Sequence, residues 1–209
     1  MIFGDSYSTH KDYIDEKYLT FYSSEIGEEE HRVHKMLPEE TWWGRLIKNG
    51  GARLVRNDSW SGSTIGYTGY SGDCSKTSSF IYRYRCLLES GFFSENKIDT
   101  LFLFGGTNDS WCNAPLGKEV SSDWQEEDFF SVLPAIIYFT KTLRDTLPDT
   151  RIVVIANCGI KDEIVECLRS SAERIGADFI ELSNVEKESD HPTAYGMEQI
   201  YEQVVKIFQ

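Results

Sequence analysis

The chain has 209 residues, of which 40% are hydrophobic and 13% aromatic, enough to bury a core without disulfides and too apolar for a disordered chain. Its formal net charge of −13 argues against a nucleic-acid binder, which needs a basic footprint, and against docking on an anionic membrane surface. No stretch approaches the roughly 20 apolar residues of a membrane span, and the five cysteines contain no C-x-x-C pair, so neither a zinc site nor a disulfide framework is expected.

A short apolar run, Ile2-Phe3, leads into Gly4-Asp5-Ser6. This reads as the end of a buried strand opening into a tight turn with a serine at its tip. Residues 7 to 40 are polar and charged, with Tyr13, Tyr18, Phe21 and Tyr22 interspersed. That is long for a connection, and it predicts a partly ordered flap beside Ser6. Glu28-Glu29-Glu30-His31 reads as a solvated charge cluster. His31 and His34 read as surface histidines, because no further ligands are spaced to complete a metal site. Pro38 to Ile47 predicts a helix stopped by Asn49-Gly50-Gly51. Arg53 to Asn57 predicts a short strand running into Asp58-Ser59-Trp60-Ser61-Gly62-Ser63-Thr64, a loop of small polar residues. Residues 66 to 77 read as loop, and 78 to 93 carry helical spacing. Asp99 to Phe104 is the clearest buried strand, ending in Gly105-Gly106-Thr107-Asn108-Asp109-Ser110-Trp111. Residues 112 to 126 form a second long loop and 127 to 146 a helix. Arg151 to Ala156 is a continuous apolar strand of the mid-sheet kind. A helix over 161–175, a strand from Asp178 to Leu182 and a closing helix over 194–208 complete the chain.

Strands alternating with helices predict an α/β fold with a parallel sheet and right-handed crossovers, as one domain over residues 1–209. In such a sheet the strand C-terminal ends emerge on one edge. Ser6, Gly62, Asn108 and the late loop Glu188-Ser189-Asp190-His191-Pro192 would then converge. A hydroxyl, an imidazole, a glycine amide and a carboxamide are the parts acyl transfer requires. The attacking hydroxyl needs a base within hydrogen-bond reach, and the developing oxyanion needs fixed donors.

These residues resemble the SGNH (GDSL-type) hydrolases, named for Ser, Gly, Asn and His in separate blocks. Gly4-Asp5-Ser6, with Ser8, matches the first block; Asn57 to Gly62 matches the second more loosely. Gly106-x-Asn108-Asp109 matches the third, and His191-Pro192 the last. The resemblance implies a flavodoxin-like three-layer α/β/α sandwich with a five-stranded parallel sheet. It implies Ser6 as nucleophile and His191 as general base. It also implies an oxyanion hole made of the Ser6 amide, the Gly62 amide and the Asn108 side chain. The family usually places Asp three residues before the histidine; here that position is Glu188. Glu188 is preferred as the orienting acid over Asp190, whose side chain would point away from that of its neighbour in an extended segment. A Ser-His pair oriented by a backbone carbonyl is the third possibility. Gly4-Asp5-Ser6-Tyr7-Ser8 lacks the last glycine of the G-x-S-x-G elbow, which argues against the α/β-hydrolase fold.

The expected function is a serine esterase acting on a small-molecule ester, small or carbohydrate-linked and of acetyl size, without metal or cofactor. The long polar segments lean toward sugar esters over long acyl chains, while lysophospholipids and thioesters stay open. A non-catalytic binding module on the same fold is the alternative. Phosphate binding at Gly105-Gly106-Thr107 lacks the lysine of a P-loop. Trp60 and Trp111 are equally readable as pocket or core. A reduced, cytoplasmic location is expected, or a secreted one if a leader has been removed.

Overall fold

A computed structural model describes residues 1–25 and 34–209. The Glu28–His31 charge cluster therefore lies outside the described residues. Five strands, Ile2–Gly4 (β1), Asn57–Ser59 (β2), Thr100–Phe104 (β3), Arg151–Ala156 (β4) and Asp178–Glu181 (β5), form one sheet. Their order is β2-β1-β3-β4-β5, and every pairing is parallel. The helices are Trp42–Gly50 (α1), Phe80–Glu89 (α2), Phe92–Glu95 (α3), Thr107–Trp111 (α4), Val132–Thr146 (α5), Asp162–Arg174 (α6) and Ala194–Val205 (α7).

Alternation along the strands divides the core in two. Ile152 and Val154 of β4 enter one apolar layer with Phe80, Ile136 and Leu168, from α2, α5 and α6. Val153 and Ile155 enter the other with Trp42, Met197 and Ile200, from α1 and α7. The result is the three-layer α/β/α sandwich with a five-stranded parallel sheet. Among the described residues no helix is long and apolar enough to cross a membrane.

The second strand lies downstream of its expected place at Arg53 to Asn57. Asn57, Asp58 and Ser59 pair with Ile2, Phe3 and Gly4, and all three are buried. Partners offset the burial of these polar side chains. Asn57 Nδ2 donates to the Ser8 carbonyl at 2.7 Å and Ser59 Oγ to Asn57 Oδ1 at 2.6 Å. Asp58 is paired with the buried Arg83, and with Arg56 Nε at 2.8 Å. Two helix starts are also later than expected. Pro38–Glu40 and Glu126–Phe130 form 3₁₀ turns ahead of α1 and α5. Thr41 Oγ1 then caps α1 by accepting from Gly44 N at 3.0 Å.

The flap packs beside the sheet edge. Tyr22–Ser23 pairs in parallel with His34–Lys35. The buried His10 ring bonds the Met36 carbonyl through Nε2 at 3.0 Å. Two antiparallel hairpins, Thr68–Gly69 with Gly72–Asp73 and Lys187–Glu188 with His191–Pro192, flank the same edge.

Candidate active site

Ser6 opens a 3₁₀ turn, Ser6–Ser8, directly after β1. Asp5 caps that turn, its Oδ1 accepting from Tyr7 N at 3.0 Å. Gly4 leaves no room for a side chain: a Cβ there would lie 2.5 Å from Ser59 Oγ and 2.7 Å from Ser8 Cβ. Both tryptophans of α1 hold the far end of the turn. Trp42 Nε1 donates to Ser8 Oγ at 3.2 Å and Trp43 Nε1 to the Ser8 carbonyl at 3.0 Å. A rigid strand and two buried indoles therefore fix the Ser6 backbone.

His191 comes from the other end of the chain, 185 positions on, and its Nε2 lies 2.9 Å from Ser6 Oγ. Its Nδ1 lies 3.0 Å from the Ser189 carbonyl. A carbonyl only accepts, so Nδ1 carries the ring proton and Nε2 is left as the acceptor facing the serine hydroxyl. The orienting partner at Nδ1 is thus a backbone carbonyl. This corrects the expectation of Glu188. Glu188 and His191 pair across a two-residue hairpin, but Glu188 is exposed to solvent. The reason lies in the hairpin tip, where Ser189 and Asp190 have φ of 49° and 64°. Two consecutive left-handed residues make the tight reversal that delivers the Ser189 carbonyl to the ring.

Three aromatic residues hold this hairpin from the N-terminal side. Tyr7 Oη donates to the Asp190 carbonyl at 2.5 Å and Tyr22 Oη to the Pro192 carbonyl at 2.8 Å, bracketing His191. Phe21 stacks on the imidazole face, with ring centres 3.6 Å apart and planes 10° apart. His34, expected at the surface, is half-buried and stacks on the other side of Phe21 at 4.4 Å. Sequence reasoning missed the roles of Tyr7, Phe21 and Tyr22. The aromatic residues scattered through a polar segment were the signal.

The expected oxyanion donors lie at neighbouring strand ends. Ser6 follows β1, Gly62 follows β2, and Asn108 lies in α4 directly after β3. Gly62 has φ +80°, a conformation side chains rarely adopt, and all three residues line one cleft. Asn108 is held at both ends. Its Nδ2 donates to the Ser63 carbonyl at 2.9 Å, leaving its second proton over, and its Oδ1 accepts from Tyr70 Oη at 3.3 Å. Asp109, next to it, is fully buried and accepts from Ile65 N at 3.0 Å and Gly66 N at 3.2 Å. It fixes the loop that carries Gly62. The cleft measures about 1560 Å³. Trp60 and Trp111 both line it: Trp60 stacks on Tyr18 with ring centres 4.5 Å apart, and Trp111 meets His191 edge-to-face with ring centres 6.1 Å apart.

Electrostatics suit a neutral base. Burial lowers the His191 pKa below 6.5, partly offset by the hydrogen bond to Ser189. Next to Ser6, burial pushes the Asp5 carboxyl up to about 7, and its Oδ2 has no hydrogen-bond partner among the described residues. A raised carboxylate pKa means stability that is complete below the unfolded value of 3.8 and lost as the pH climbs through the folded value of about 7. Asp5→Asn removes the titration and keeps an acceptor for Tyr7 N. Thermal unfolding is expected to show Asp5→Asn melting above the wild type at pH 8, with the gap narrowing at pH 5. A gap that is constant or widens toward acid refutes this account.

The chain is similar to known proteins throughout. The family model described as GDSL-like lipase/acylhydrolase matches residues 1–208. A provisionally assigned GDSL-like lipase from Bacteroides ovatus is 35% identical, with a TM-score of 0.85 over 99% of this chain and 96% of that one. Another from Bacteroides uniformis is 34% identical, with a TM-score of 0.86 over 99% and 92%. An acetyl xylan esterase from the rumen bacterium Butyrivibrio proteoclasticus shares the fold at 16% identity, with a TM-score of 0.63 over 99% of this chain and 62% of that one. No curated protein sequence matches the chain.

Proposed function

Since the chain belongs to the GDSL-like lipase/acylhydrolase family, an ester-hydrolysing family, we propose that it deacylates small carbohydrate-linked esters, acetyl esters foremost, through an acyl-enzyme on Ser6. The single observation that carries the mechanism is the 2.9 Å approach of His191 Nε2 to Ser6 Oγ. His191 takes the hydroxyl proton as Oγ attacks the ester carbon. The oxyanion that forms accepts from Ser6 N, Gly62 N and Asn108 Nδ2. The imidazolium then protonates the departing sugar oxygen. A water activated by the same ring hydrolyses the acyl-serine and restores both groups.

The substrate class rests on the cleft. Its walls combine aromatic faces (Tyr18, Trp60, Tyr70 and Trp111) with the polar Asp12 and Asp15. Aromatic faces and hydrogen-bonding groups suit a sugar ring better than a long acyl chain. The shared fold with an acetyl xylan esterase points the same way.

Hydrolysis of p-nitrophenyl acetate together with fluorophosphonate labelling located on Ser6 tests the reading. A folded sample that neither hydrolyses nor labels supports the binding-module alternative instead. The orienting group has its own test. Glu188→Gln is expected to keep kcat within about twofold of the wild type, because the carboxylate is solvent-exposed and the Ser189 carbonyl holds Nδ1. A loss nearing the ~10⁴ that follows removal of a working triad acid restores Glu188 to the ring.

A further inference from the structure

A triad carboxylate does two things for its histidine: it orients the ring and it stabilises the imidazolium formed during attack. Here the Ser189 carbonyl orients Nδ1 but carries no formal charge. The face of the ring is where this chain differs from a plain Ser-His pair. Phe21 lies parallel against the imidazole at 3.6 Å, closer than any other aromatic contact in the chain's described residues. It is not a loose flap residue. Its amide donates to Thr9 Oγ1 at 2.9 Å and its carbonyl accepts from His34 N at 2.7 Å. The next residue, Tyr22, is buried and tied to the Pro192 carbonyl. The benzene face is thus presented to His191 by a segment pinned on both sides.

Resting on the esterase reading, we propose that Phe21 is a positioning residue that takes over the second task of the missing carboxylate. Its π face holds the His191 ring plane and stabilises the imidazolium as the proton leaves Ser6. Aromatic faces attract cations most strongly where water is excluded. This ring is half-buried among Phe21, Tyr7 and Trp111. Among the described residues, the charged or titratable groups facing His191 from the packed elements are His34 beyond Phe21, Asp190 on its own hairpin, Lys187 and Tyr7. Asp190 favours the protonated ring, whereas His34 and Lys187 disfavour it. A substitution confined to Phe21 removes none of these groups, although it takes away the ring on which His34 stacks.

The experiment compares Phe21→Leu, which keeps bulk and dryness without a π face, with Phe21→Tyr, which keeps the face. Phe21→Leu is expected to lower kcat about tenfold with KM little changed. It should also move the acid limb of the kcat/KM profile about one pH unit lower, as an imidazolium stabilised tenfold less requires. Phe21→Tyr should stay near the wild type in both. A Leu variant with wild-type kcat and acid limb overturns the proposal. So does a Tyr variant that falls as far as Leu, which would make the contact one of fit alone. If the wild type neither hydrolyses p-nitrophenyl acetate nor labels at Ser6, the esterase reading itself falls. An active, labelled wild type with an unaltered Leu variant removes only the role of Phe21.

Discussion

Ser6→Ala is expected to lower kcat for p-nitrophenyl acetate by about 10⁴–10⁶ and to abolish fluorophosphonate labelling, with the thermal midpoint unchanged. The magnitude follows from what remains. Deleting the nucleophile of a serine hydrolase costs up to ~10⁶ in kcat, and the oxyanion donors and binding groups retain a residual advantage over water of ~10³–10⁴. Stability should hold because the serine backbone is fixed by other groups. Asp5 caps the turn, and Trp42 and Trp43 hold Ser8. Loss of Oγ leaves His191 Nε2 facing the open cleft, where water can replace the hydroxyl. Steady-state rates, calorimetry and labelling on one preparation separate catalysis from folding. Hydrolysis that survives at wild-type rate, or at a second labelled serine, removes Ser6 from the mechanism.

The sheet was legible where burial on both faces leaves a plain signature. Arg151 to Ala156 and Asp99 to Phe104 are apolar runs because the strands between two helical layers must be apolar on both sides. The second strand was misplaced for the opposite reason. Asn57, Asp58 and Ser59 look like a loop, and they become strand because Ser8 and Arg83 satisfy Asn57 and Asp58 from across the fold. No local pattern announces a partner tens of residues away.

At the site, the same division holds. Strand-end turns locate Ser6, Gly62 and Asn108 on one edge, since a parallel sheet puts its C-terminal ends together. The group at His191 Nδ1 was another matter. Spacing pointed to Glu188, but the hairpin reverses through Ser189 and Asp190 at positive φ, and the carbonyl arrives before the carboxylate can. Pairing of Glu188 with His191 across a two-residue turn requires positive φ at Ser189 and Asp190, which Asp tolerates but Ser does not announce. The Phe21 stack and the Tyr7 and Tyr22 tethers lie further from sequence reasoning still. Each joins residues about 170 or more positions apart.

His191→Ala is expected to be nearly as damaging as Ser6→Ala, about 10⁴ or more in kcat, but with a different signature. On the proposed mechanism the nucleophile is still there and only its base is gone. In the wild type the rate should climb with pH as the ring loses its proton, then level off. The half-maximal point should lie below pH 6.5, because burial favours the neutral imidazole. The variant has no such group. Its residual rate should rise with pH without a plateau near neutrality, since hydroxide must then generate the attacking alkoxide or attack directly. Added imidazole, entering the space vacated beside Phe21, should restore a measurable part of kcat in the His191→Ala protein and none in Ser6→Ala. A wild-type profile flat from pH 5 to 8, together with a His191→Ala variant of the same shape, would mean that another group takes the serine proton.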